Sequence, residues 1–493
     1  MKSIGCVLGI DIGTSGCKAI VVDEAGSILS SATAEYPIYQ PKAGYSEQEP
    51  EDWWQGVIES VRAVMHADRK LLGISLSGQM HGMVALDDKN TVVRRAILWN
   101  DQRTQAQCDE ITEMAGGLDG LLGYTNNMML TGYTGGKLLW LRETEPQNYE
   151  KTKLVINPKD YIRFKLTGEL LTEVSDASGT GLFDVENRRW AYGLIDKLGI
   201  DRSLFAKCVE STDQAGTVTK QAAALTGLPE GTRVYAGGGD AVISTMAMGL
   251  AKAGTVGVTL GTSGVVAMGL PAYGHNRQGL LQLFCNNTPN TWMAFGCTLA
   301  AAGSYQWFRN ALCEGNDYDG LNKQAEAVEA GCDGLIYLPY LTGERCPLFD
   351  PKASGGFIGI TSRMGKGHFS RAVMEGVCFS LKQVYDLIAD CAPVDTKEIV
   401  VSGGGAKSRL WRKILADIFG LPVITASGSA EGGAFGAALI AGIGCGIWTV
   451  DEAMKLVKPQ SRTMPDNENE AVYKRQYEKY CRLYSSLKWF YED

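Results

Sequence analysis

What this chain lacks narrows its reading first. Its 13 cysteines are an odd number with no Cys-x-x-Cys pair, so neither a disulfide framework nor a zinc site is expected, and a reducing, cytoplasmic setting fits. The 4 histidines are too few for a histidine-built metal centre. No run approaches the eighteen or so consecutive apolar residues that a membrane span needs. Asp11 interrupts the only apolar stretch near the start too early for a secretory signal. The net charge of −8 argues against nucleic acid or an anionic membrane as a main partner. There is no Gly-x-x-x-x-Gly-Lys-Ser/Thr loop, and no Gly-x-Gly-x-x-Gly follows a strand, so a P-loop and a Rossmann dinucleotide site both lack support.

What is present is length and glycine. The 493 residues, 45% hydrophobic and 21% charged, suit a soluble globular protein of two or more domains. Much of the glycine sits in clusters. The run from Thr232 to Asp240 brings a short strand, three glycines and a carboxylate ahead of a helix-compatible stretch that reaches Leu250. Asp240 at the head of a helix can cap backbone N–H groups, or it can take a proton from a substrate hydroxyl.

Strands are expected at Cys6 to Ile10, Lys18 to Val22 and Ile28 to Ala34, forming an antiparallel meander. Pro50 opens a helix. A buried strand, Leu71 to Leu76, leads to Gln79-Met80-His81-Gly82. Val84 to Leu86 and Val92-Val93 flank a hairpin-like turn. After Gly254 the early plan recurs as strand, Gly261-Thr262-Ser263-Gly264, strand, matching Gly13-Thr14-Ser15-Gly16 at a period of about half the chain. Two related domains with a cleft between them follow, divided here as 1–250 and 251–493. Helices are expected at Ala301 to Leu312, Phe369 to Cys391, Ser408 to Phe419 and Glu431 to Ile440, with a late one at Glu468 to Leu487.

The two Gly-Thr-Ser turns would present N–H groups and hydroxyls to a phosphate chain from opposite sides. Asp11 could hold magnesium through water or simply cap its turn. Ser402 to Ala406 is either a strand-to-helix turn or a flat seat for an adenosine. Met80 and His81 suit a polyol, the thioether packing on carbons and the imidazole serving hydroxyls. Trp99 offers an aromatic plate, or is a partly buried Trp before a helix. Gly343 to Pro347 is read as a surface turn with a local Glu344–Arg345 ion pair.

These residues together resemble the FGGY carbohydrate kinases over nearly the whole chain. Gly132, Thr134, Lys137 and Trp140 fit the family's first signature, which departs at Thr144; Gly355 to Glu375, with Gly359, His368 and Ala372, fits the second. Gln79 to Gly82, Ile97 to Asp101, Lys159-Asp160-Tyr161 and Gly343-Glu344-Arg345 are most like the members that phosphorylate D-xylulose. The resemblance implies two ribonuclease-H-like, actin-like α/β domains, ATP as co-substrate and Mg²⁺. It places the catalytic base at Asp240, the ketopentose on Met80 and His81, the first phosphate segment at Asp11, Thr14 and Ser15, the second at Gly261-Thr262, and adenosine at Gly404-Gly405. Ala241 departs from the usual Asn, which leaves the sugar open to ribulose, gluconate or a related polyol. An actin-like nucleotide switch with a protein partner is the reading from another class. A homodimer is compatible with the sequence and not required by it.

Overall fold

The computed structural model describes residues 4–66, 69–428 and 431–492. Two seven-stranded sheets carry the chain. In the first, the strands Ile4–Ile12, Gly16–Asp23 and Ile28–Glu35 form the expected antiparallel meander. The strand Arg69–Gly78 adds parallel to Ile4–Ile12, followed outward by Arg233–Tyr235 and Gln214–Thr217. The two-residue strand Gly238–Gly239 also pairs parallel with Arg69–Gly78.

The second sheet repeats this plan. Thr255–Leu260, Gly264–Leu270 and Trp292–Thr298 run antiparallel in sequence order, and Glu398–Ser402 then lies parallel to Thr255–Leu260. Val423–Ala426 and Pro459–Thr463 extend that side and Gln282–Cys285 the other. The Gly-Thr-Ser turns occupy the same place in each sheet, between the first two strands, as the internal repeat predicts.

Alternation along the strands divides the first sheet's two faces, as a period of two requires. Leu8, Ile10, Ala19 and Val21 pack with Trp53, Trp54 and Val57 of the helix Pro50–Val64. Val7, Ile20 and Val22 face the other way, onto Ile243, Ala434, Phe435, Ala438 and Leu439. All of these partners but Ile243 come from the helix Gly432–Cys445, which lies late in the chain yet covers the first sheet. The approach is close: a Cβ on Gly9 would sit 2.0 Å from the Ala434 carbonyl oxygen, so only glycine allows it. The second sheet packs its Val256, Val258 and Val266 against Val373, Val377 and Leu381 of the helix Lys366–Cys391.

One local expectation changes. The helix opened by Asp240 ends at Met246 rather than Leu250, because Met248 and Gly249 turn the chain with 3.0 Å bonds back to Thr245 and Met246 and Gly249 takes φ 81°. The hairpin-like turn after Val84–Leu86 is present, with the N–H groups of Val93 and Asp87 donating to Ala85 and Thr91 at 2.9 Å and the Asp87 carboxylate accepting from those of Lys89 and Thr91, while Val84–Leu86 also pairs with Leu154–Ile156. The helix Asn467–Tyr491 docks on the second half. Glu375, from the second signature, accepts from Arg371 at 2.7 Å and from the Tyr473 hydroxyl at 2.8 Å, so this part of the signature holds that last helix in place.

Candidate active site

In open α/β sheets, ligands gather at the carboxyl ends of parallel strands. Three such ends lie side by side here. The register sets Asp11 opposite Ser77 and Ile12 opposite Gly78, with Gly238 and Gly239 opposite Ser77 and Gly78 on the far side. The next residues out are Met80 and His81 from the middle strand and Asp240 from the short one. Sites separated by 160 residues thus converge within a few strand spacings of about 4.8 Å.

Asp240 begins the helix Asp240–Met246. Its Oδ1 accepts from the N–H of Ala241 at 2.7 Å and of Met80 at 3.3 Å. It therefore binds one N–H of its own helix's first turn, although the N-cap position is Gly239, and ties that turn to Met80 at once. Met80 also packs directly on the platform, since a Cβ on Gly239 would come within 2.4 Å of Met80 Cγ. Burial, with the Asp11 charge adding to it, pushes the Asp240 carboxyl up to about 7. The Ala241 and Met80 N–H groups act in the opposite sense.

The platform is held from beneath. The Gly239 N–H donates to Ser175 Oγ at 3.0 Å, and Ser175 Oγ donates to Glu173 at 2.9 Å. Asn287, from the second half, donates to Ser175 at 3.1 Å and to Ser211 at 3.0 Å. Lys159 sits among Asp160, Glu173 and Asp176 at 2.6, 3.7 and 3.5 Å, all with fully buried side chains. Sequence reasoning marked Lys159-Asp160 only through the family resemblance and missed Ser175 and Asn287, because nothing in their spacing shows a tertiary bond.

His81 adopts φ 67°. Its Nδ1 lies 2.6 Å from the Gly179 carbonyl, which can only accept, so Nδ1 carries the proton and Nε2 is left as an acceptor. The ring stacks on Tyr133 with centroids 4.6 Å apart. Burial lowers its pKa to about 3, which keeps it neutral.

Trp99 is 47% exposed, more open than the partly buried side chain considered from sequence, and its indole N–H donates to Thr14 Oγ1 at 2.9 Å. Arg103 is closed off instead: its side chain is 1% exposed, paired with Asp101 at 2.7 Å and Glu47 at 2.8 Å. The surface-turn reading of Gly343 to Pro347 does not hold. Glu344 is buried and accepts from the N–H groups of Leu299 at 2.8 Å and Arg345 at 2.7 Å. The exposed Arg345 lines a small cavity with Tyr133 and Gln282. A carboxylate anchored on two backbone donors has no need of its neighbour's guanidinium.

Asp11 lies where a cation would fit. Its Oδ1 is buried with no hydrogen-bond partner, and burial raises its pKa against the opposing influence of Ser77 and Lys18. Gly433, in the first turn of the helix Gly432–Cys445, comes so near that a Cβ there would lie 2.7 Å from Asp11 Oδ1. Among the described residues no three His, Cys, Asp or Glu side chains form a metal cluster, so a cation at Asp11 would draw its other ligands from water and phosphate, as magnesium does.

In the second half, Gly261, Thr262, Gly404 and Gly405 line one cavity of about 540 Å³ with Tyr305, Tyr318 and Trp411. Thr14 and Ser15 lie outside that lining, on the first sheet's own turn. The second turn and the Ser402–Ala406 run are thus brought together, with aromatic walls that the sequence did not single out.

Comparison with known proteins gives the family and the fold. The models of the FGGY family of carbohydrate kinases match residues 6–247 (N-terminal domain) and 256–445 (C-terminal domain). The chain is 38% identical over 488 residues to the xylulose kinase of Bacillus subtilis, covering 98% of this chain and 97% of the relative. It is likewise 38% identical over 488 residues to the xylulose kinase of Lactococcus lactis, covering 97% and 96%. Among solved structures, the xylulose kinase from Rhodospirillum rubrum superposes with a TM-score of 0.92 at 29% identity, covering 99% of this chain and 100% of that one. No described helix is long and apolar enough to cross a membrane.

Proposed function

Because the chain belongs to the FGGY family of carbohydrate kinases, we propose that it transfers the γ-phosphoryl group of ATP to the terminal hydroxyl of D-xylulose. The observation that carries the site is the convergence of Asp11, Met80-His81 and Asp240 at the carboxyl ends of three adjacent parallel strands. The narrower choice of sugar is supported by the likeness to xylulose kinases and by the character of the pocket. A thioether and a neutral imidazole suit an uncharged polyol, and Arg103 is already committed to two carboxylates.

In this reading Asp240 accepts the proton of the sugar hydroxyl. The hydroxyl oxygen then bonds to the γ-phosphorus as the bond to the ADP oxygen breaks. A base of pKa near 7 matches the working pH. Adenosine lies in the cavity lined by Gly404 and Gly405, and the turns at Thr14-Ser15 and Gly261-Thr262 face its phosphates. Magnesium held with Asp11 would neutralise charge on the phosphates, where most of the catalysis of phosphoryl transfer lies. Sugar binding draws the two halves together and keeps water from the phosphoryl group. The free thiols suit a cytoplasmic setting.

The test is kcat/KM for D-xylulose, ribulose, gluconate and glycerol at saturating Mg-ATP. D-xylulose is expected first and gluconate last. Gluconate ahead of D-xylulose overturns the pocket assignment, and ATP turnover indifferent to every sugar overturns the kinase reaction.

A further inference from the structure

Lys137 and Thr134 belong to the first family signature, and the chemistry above gives them no part. Both lie on the helix Thr134–Thr144 and both are buried, Lys137 with 0% exposure. A buried lysine ordinarily pairs with a carboxylate. Among the described residues this one does not: its Nζ donates to the His81 carbonyl at 2.6 Å and to the Gly132 carbonyl at 2.6 Å. Thr134 Oγ1 donates to the same His81 carbonyl at 3.1 Å. Residues three apart on a helix share a face, so two side chains from one turn take both lone pairs of a single carbonyl.

That carbonyl belongs to a residue in an unfavourable conformation. His81 is left-handed at φ 67°, a region that side chains bearing a Cβ enter only when their surroundings over-determine it. Glycine would sit there freely but would carry no imidazole. The ring itself is fixed by its Nδ1 bond to Gly179 at 2.6 Å and by its stack on Tyr133. Releasing the carbonyl lets residue 81 relax toward ordinary backbone angles. Its Cβ then swings, and the ring loses Gly179 and Tyr133 together.

We propose that Lys137, assisted by Thr134, is a positioning residue that clamps the His81 carbonyl, holds residue 81 left-handed and so aims its imidazole, protonated on Nδ1, with Nε2 free to accept from a sugar hydroxyl. This rests on the reading of His81 as a sugar ligand. The signature lysine thereby acts on the sugar at one remove, touching neither sugar nor nucleotide. Burial lowers the Lys137 ammonium to about 7, against the opposing charge of Asp101, in keeping with a cation whose hydrogen bonds go to carbonyls.

The experiment combines a spectrum with a double-mutant cycle, using full-length protein. In ¹⁵N-histidine-labelled enzyme the His81 imidazole is assigned by its loss in His81→Asn, and wild type should show a neutral ring with the proton on Nδ1. In Lys137→Met this signal should shift toward averaged tautomers. The KM for D-xylulose should rise about tenfold, with the KM for ATP within about twofold. In the His81→Asn background, adding Lys137→Met should change the sugar KM less than about twofold, since a residue acting through His81 has nothing left to position. Unchanged His81 signals in folded Lys137→Met, or KM effects that multiply in the double variant, overturn the proposal. If Lys137→Met does not fold, Thr134→Val is read the same way, with a rise of about threefold, and independence from His81→Asn there overturns it equally. A shifted His81 signal with unchanged KM for every sugar tested upholds the clamp and removes His81 from the pocket, so a failure of the functional reading is seen separately.

Discussion

The indole N–H of Trp99 donates to the Thr14 hydroxyl at 2.9 Å. One residue was singled out for the sugar and the other for a phosphate, and a single bond joins them across 85 positions of chain. Trp99→Phe keeps an aromatic plate but removes this donor. A bond between neutral partners at an exposed site contributes about 1 kcal/mol. Steady-state kinetics should therefore show the KM for sugar and for ATP rising together, by about three- to fivefold. A rise in one alone would mean that the bond does not couple the two ligands.

Asp240→Asn retains an oxygen able to accept from Ala241 and Met80 but cannot take a proton. We expect kcat to fall by ~10²–10⁴ with sugar binding nearly intact; a variant above about half of wild-type kcat removes Asp240 from the role of base. In the wild type, kcat/KM should climb with pH through about 7 as the carboxyl ionises, then level off.

The same shift acts on stability. A carboxyl whose folded pKa is about 7 against an ordinary value of 3.8 binds its proton more tightly when folded. Its contribution is full below about pH 4 and lost as pH rises through 7. Above pH 7 the charge is a burden, so Asp240→Asn should be more stable than wild type by on the order of 1–2 kcal/mol, after allowing for partial solvent contact, and melt at a higher temperature. Equal melting temperatures at pH 8 would show that the free site already compensates the charge.

Thr262 presents its side chain to solvent at the edge of the 540 Å³ cavity, while its carbonyl accepts from Ala301 and Gly303. Thr262→Val leaves those backbone bonds in place. The KM for ATP should rise about five- to tenfold and turnover should fall, with the sugar dissociation constant within twofold. A nucleotide complex with Thr262 more than about 8 Å from every phosphate, beyond even a water-mediated bond, would remove it from the phosphate clamp.

Ala241 follows Asp240 and is exposed. Sites discriminate most when a wrong ligand leaves buried polar groups unpaired, and an alanine offers none. Ribulose should accordingly be used measurably alongside D-xylulose, and Ala241→Asn should widen the gap between them by about five- to tenfold in kcat/KM. An unchanged ratio would mean that residue 241 does not face the sugar.

Sequence patterns marked the meander, the repeated glycine turns and the strand-to-helix step at Asp240, because each depends on neighbours in the chain. The same holds for the strand ending at Met80-His81. What they did not reveal depends on partners far away. The closure of Arg103 depends on Glu47, some fifty positions earlier. Glu344 looked like half of a surface ion pair until Leu299 supplied its donor. Ser175 and Asn287, which secure the Gly238–Gly239 strand, carry no local pattern at all. Trp99 was noticed for its ring, whereas its recorded bond is made by the N–H.

The helix Gly432–Cys445, seated on the first sheet, has a consequence for how the chain comes into being. A ribosome completes the first 250 residues long before it reaches residue 445. At about 5–20 residues per second the delay is about 10–40 s. Throughout it, Val7, Ile20 and Val22 await Ala434, Phe435 and Leu439, and one face of the first sheet stays wet or is lent to a chaperone. The nascent amino-terminal half is therefore the aggregation-prone species in biosynthesis, and a fragment ending near residue 250 should be insoluble unless residues 432–445 are supplied in trans.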